Sequence, residues 1–84
     1  MDSLLKYQAA LKIASAILMK KGEVSLGEIE ALPFIDRDFD PQIIANALRQ
    51  MYDVEVISRK TSSIPYMQWD NVIRLNLIPA HQNA

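Results

Sequence analysis

Carboxylates are the densest chemically capable groups in this chain. Between positions 28 and 40 stand Glu28, Glu30, Asp36, Asp38 and Asp40 against Arg37 alone, a local charge of −4. Two carboxylates act as an acid and base pair when burial drives their pKa values apart, and nothing in this polar stretch indicates burial. Other catalytic equipment is missing from the sequence. It has no cysteine, glycine-rich phosphate loop or His-x-x-x-His pair, and its one histidine, His81, lies near the C-terminus. The reading is therefore a non-enzyme that needs neither cofactor nor metal. Two aromatic residues, Tyr66 and Trp69, flank a loop where a ring can stack on a base or a partner. Because Trp69 shares an alternating face with Ile73 and Leu75, core packing is the expectation for it. Arg59 and Lys60 at a strand end read first as solvated charges that discourage edge-to-edge aggregation.

The elements that must position these groups follow from pattern. Eighty-four residues, half of them hydrophobic and 23% charged, make one soluble globular domain with a modest core. The absence of cysteine rules out disulfides and thiolate metal sites, and the cytoplasm is the expected compartment. The apolar run "IASAILM" is fenced by Lys12 and Lys20 and falls well short of the roughly 18 to 20 residues of a membrane span. Neither a membrane nor a secretory leader is expected. With net charge −1 and pI near 5.7, any contact with nucleic acid must be local.

Residues 3 to 21 carry no Gly or Pro and stop at Gly22, which predicts a helix with Ser3 as N-cap and Lys20 and Lys21 at its C-terminal end. Leu4, Leu11 and Leu18, with Tyr7, Ala10, Ala14 and Ile17, form its wide apolar face. Ser25 and Glu28 have capping-box spacing, so a short second helix is expected over about 26 to 31. Pro33 ends it, and "FIDRDFD" reads as a loop in which Asp36 and Asp38 have no evident structural need to be acidic. Asp40 and Pro41 start a third helix whose predicted stripe is Ile43, Ile44, Ala47, Leu48 and Met51. After Asp53 the period becomes two, with Val54 and Val56 on one face and Glu55, Ile57 and Arg59 on the other. A second strand is expected from Trp69, after the long loop "KTSSIPYMQ". The predicted core brings together Leu11, Ile44, Leu48, Val56 and Leu75.

Helix, short helix, helix, strand, loop, strand over residues 3 to 78, with 79 to 84 as a tail, resembles the winged-helix family. The stretches carrying the resemblance are "EVSLGEIEAL", "DPQIIANALRQM" and "VEVISRKTSSIPYMQWDNVIRLNL". The fold class it implies is α+β, a three-helix winged helix-turn-helix with a C-terminal two-stranded β-hairpin wing. In such domains a brief strand before the second helix often joins the sheet, and Glu23 to Ser25 is the candidate. The family implies DNA binding, with the third helix in the major groove and the wing on phosphate or minor groove. The residues it singles out are Gln42, Asn46, Arg49 and Gln50 as base readers and Arg59, Lys60, Thr61, Ser62 and Ser63 as phosphate contacts.

Two functions stay open on the sequence. One is a small DNA-binding regulator of transcription or replication that works as a dimer, with the first helix as the homodimer seam. The other is a protein-interaction module without DNA binding, using the acidic 28 to 40 face or the first helix. The first helix carries +3, from four lysines less Asp2, so the positive and negative ends are expected to be segregated.

Overall fold

Residues 2 to 61 and 68 to 76 are described in a computed structural model of the chain. Chain order runs α1 (Ser3–Lys21), β1 (Glu23–Ser25), α2 (Leu26–Glu30), α3 (Pro41–Met51), β2 (Val54–Thr61) and β3 (Gln68–Leu75). The three strands form an antiparallel sheet in the order β1-β3-β2. The expected two-stranded hairpin is thus corrected: β3 is the central strand of a three-stranded sheet, because Glu23 to Ser25 pair along its other edge, Val24 opposite Ile73. Tyr66, His81 and the predicted 79 to 84 tail lie outside the described residues.

Local chemistry accounts for the boundaries. α1 ends where Gly22 adopts φ 82°, a left-handed conformation that costs glycine little, and the Gly22 N–H donates to the Leu18 carbonyl at 2.8 Å. Its own carbonyl accepts from Leu75 N–H at 2.9 Å, which ties the helix end to β3. At the other end the N-cap is Asp2 rather than Ser3, and its side chain makes no capping bond. The Ser25–Glu28 capping box is complete, with each side chain bonded to the other residue's N–H at 3.0 Å. A second carboxylate joins it, since Gly27 N–H donates to Asp70 Oδ1 at 3.1 Å. Asp40 caps α3 through Gln42 N–H, and Pro41 occupies the first turn, where no N–H is needed.

Ala10, Ala14, Leu18, Val24, Ile29, Phe39, Ile44, Ala45, Leu48 and Ile73 make the core, with Leu11, Val54 and Leu75 packed against it. Tyr7 stacks on Phe39 at 4.2 Å between ring centroids, and its hydroxyl accepts from Asp40 N–H at 3.1 Å, which fixes the loop to α1. Three expectations about facing need correction. Val56 is 44% exposed, because β2 is an edge strand and the helices centre on β1 and β3. On α3 the buried set is Ile44, Ala45 and Leu48, leaving Ile43 and Met51 about half exposed, because the helix is wedged among α1, α2 and the sheet rather than laid flat on one layer. Leu4, predicted to face inward, is exposed in the first turn of α1.

Candidate nucleic-acid interface

The outward surface of α3 is polar. Gln42, Asn46, Arg49 and Gln50 are all exposed, and their helical spacing gathers them on one side. Gln42 Nε2 donates to Asn46 Oδ1 at 3.2 Å, one turn apart, so these two amides are held in a common orientation. Asn46, Arg49 and Gln50 line a surface depression. Among the described residues no carboxylate lies within ion-pair distance of Arg49. Five donors on a planar guanidinium are therefore available to a ligand, and the geometry suits a bidentate acceptor.

The strand candidates are split between two faces of the sheet. Alternation places Val56, Ser58 and Lys60 with Ile73 on the helix side, and Glu55, Ile57 and Arg59 on the outer side. On that outer side Arg59 is engaged: Nη1 and Nη2 donate to Glu23 Oε2 and Oε1 at 2.5 and 3.1 Å. This bidentate bond crosses diagonally from β2 to β1 over the row holding Val72, which explains why Val72 is buried outside the main core. Arg74 adds weaker pairs to Glu23 and Glu55. The bond from the Arg59 guanidinium holds the Glu23 carboxyl below the usual glutamate range, and the same bond raises the Arg59 pKa. Thr61 closes β2, while Ser62 and Ser63 lie outside the described residues.

The acidic segment is stitched to the positive helix rather than segregated from it. Lys6 of α1 bonds Asp36, and Lys21 donates to Glu28 Oε2 at 2.8 Å. Asp36 Oδ1 also accepts from Asp38 N–H at 3.1 Å, so its acidity does have structural use. Its carboxyl is held low chiefly by the Lys6 bond. Burial pushes the Glu28 carboxyl up, but the bonds from Lys21 and Ser25 outweigh it and the net shift is down. None of these long-range pairs has a sequence signal, since each depends on strand register or on how α1 lies over the loop.

Trp69 corrects a further expectation, for it is 62% exposed on the helix-side face and does not join the core. Among the described residues no group of His, Asp and Glu side chains converges as a metal site, and no helix is long and apolar enough to cross a membrane. Comparison with known proteins returns no match, whether to family models, curated sequences or solved structures.

Proposed function

We propose that this chain is a winged-helix DNA-binding protein, a regulator of transcription or replication that works as a dimer. The observation carrying the reading is the α3 surface, where two amides bonded to each other stand beside an arginine with no carboxylate partner among the described residues. Asn and Gln pair bidentately with adenine, and Arg with guanine, on the major-groove edges of those bases. The chain order α1, β1, α2, α3, β2, β3 and the sheet order β1-β3-β2 support the winged-helix assignment. Lys60 supplies the phosphate contact on the helix side, with Thr61 to Ser63 following it along the chain.

Dimerisation draws support from α1. Besides its core face it exposes Leu4, Leu5, Ile13 and Met19, half of the exposed large hydrophobic residues among those described. Leu5, Ile13, Ala16 and Met19 fall at helical spacings on the side away from Ala10, Ala14 and Leu18. A dimer also extends the few base contacts one small module offers into a two-half-site footprint.

A second reading, a protein-interaction module, is favoured by the same apolar surface of α1 and by exposed Ile43 and Met51. It gains little from the acidic segment, where Glu28 and Asp36 are engaged and Asp40 caps a helix. Arg49→Ala separates the two. As a base reader Arg49 contributes about 1 to 3 kcal/mol on the preferred duplex and little on random duplex. Equal weakening on both, or on neither, removes its reading role; this is measured by anisotropy titration of labelled duplexes.

A further inference from the structure

Trp69 is the chain's single tryptophan, and it stands 62% exposed near the start of β3. Its cross-strand partner is Lys60, and the next row on the same face pairs Ser58 with Asn71, whose side chains bond each other at 3.3 Å. Directly opposed residues of an antiparallel pair have Cβ atoms about 5 Å apart, so the ring and the ammonium border one patch. Glu55 and Asp70 are on the opposite face of the sheet, so no carboxylate from β2 or β3 shares this patch among the described residues.

The surroundings of the ring decide what it fits. An aliphatic protein partner requires a dry apolar rim, whereas among the described residues the ring is bordered by a cation, a hydroxyl and an amide. An unpaired nucleotide matches each of these: the face of its base stacks on the indole, its phosphate takes Lys60, and the edge of its base takes the amide and hydroxyl. We propose that Trp69 and Lys60 form a stacking platform for an unpaired nucleobase, so that DNA with a single-stranded segment is a ligand of the sheet's helix-side face. This rests on the DNA-binding reading above and adds to it, because a base paired within a duplex offers no free face for stacking.

Tryptophan emission reports the contact without a label. Titrating the full chain with an oligothymidylate single strand is expected to quench Trp69 more strongly than an intact mixed-sequence duplex, which can reach Lys60 but offers the indole no free base face. By anisotropy with labelled strands, Trp69→Ala weakens single-strand binding roughly 5- to 150-fold and Trp69→Phe weakens it less, since a phenyl ring still stacks. Duplex affinity moves much less in both variants. Because Trp69 lies outside the core, both variants should keep the wild-type circular dichroism and melting curve. Single-strand binding without quenching, or an unchanged affinity in Trp69→Ala, overturns the platform. Duplex binding with no single-strand binding overturns it too while leaving the DNA reading intact, and absence of both ends both.

Discussion

Arg59 and Lys60 are neighbours in the chain with opposite fates in the sheet. Arg59 is fastened to Glu23 over Val72, whereas Lys60 stands on the helix side opposite Trp69. On the DNA-binding proposal Lys60, which has no carboxylate partner among the described residues, is the better candidate for a phosphate contact than the engaged Arg59. Lys60→Ala is expected to lower the salt slope of DNA binding by about one unit, the value of one phosphate contact. Arg59→Ala should leave that slope unchanged and lower the melting temperature, because it removes the strap over Val72. Equal slopes for the two variants would show that Arg59 leaves Glu23 to reach phosphate. The strap also predicts a pH dependence. Glu23 and Asp36 bind protons less readily folded than unfolded, so their bonds contribute stability above the ordinary carboxylate range, about pH 4. That contribution is lost as pH falls through this range to the lower folded-state values. Thermal melts of the wild type between roughly pH 2 and 6 should fall more steeply than those of Arg59→Ala. At this scale the sequence speaks clearly for the caps of α2 and α3, since Ser25, Glu28 and Asp40 act on residues two or three positions away, but not for α1, where Asp2 and not Ser3 is the N-cap. It is silent on Arg59 and Glu23, 36 positions apart, whose meeting depends on the register of three strands.

At the scale of elements, periodicity located α1, α3, β2 and β3, the capping box located α2 and the resemblance pointed to β1, but not every face was oriented. α3 was legible as an amphipathic helix from Asp40–Pro41 onward, and Ile44 and Leu48 do face inward. Ile43 and Met51 looked equally inward in one dimension. Only packing among α1, α2 and the sheet turns Ala45 in and them out. Leu48 is fully buried at the centre, so Leu48→Ala is expected to cost about 2 to 5 kcal/mol, read from denaturant unfolding. A cost below about 1 kcal/mol would mean that the site collapses around the shorter side chain or that α3 packs by another face. α1 was legible in its facing as well, since Ala10, Ala14 and Leu18 of the predicted face are fully buried and Tyr7, Leu11 and Ile17 pack against the core, with Leu4 alone departing. The apolar residues left on its exposed side are those that the dimer reading uses. Ala16→Glu puts a charge on that exposed surface without touching the core. Sedimentation should show a wild-type dimer and a variant monomer of unchanged helicity; a wild-type monomer at all concentrations would remove the α1 seam.

For the whole molecule, the acidic net charge of −1 argues against a general affinity for DNA, so the account depends on where charges lie. Lys6 and Lys21 are spent on Asp36 and Glu28, which ties α1 to the acidic segment and neutralises part of both. Arg49 and Lys60, by contrast, have no carboxylate partner among the described residues, and they belong to the surfaces assigned to bases and phosphate. Composition could not show this, because it sums charges that the fold pairs off selectively. The most direct test is an anisotropy titration of a labelled random duplex with the wild-type chain, from low to physiological salt. The account predicts measurable binding at low salt that weakens linearly in log–log form as salt rises, with Arg49→Ala costing about 1 to 3 kcal/mol only on a selected preferred site. Absence of binding at the lowest salt, where an exposed cationic surface feels phosphate most strongly, would contradict it and leave the protein-interaction reading in its place.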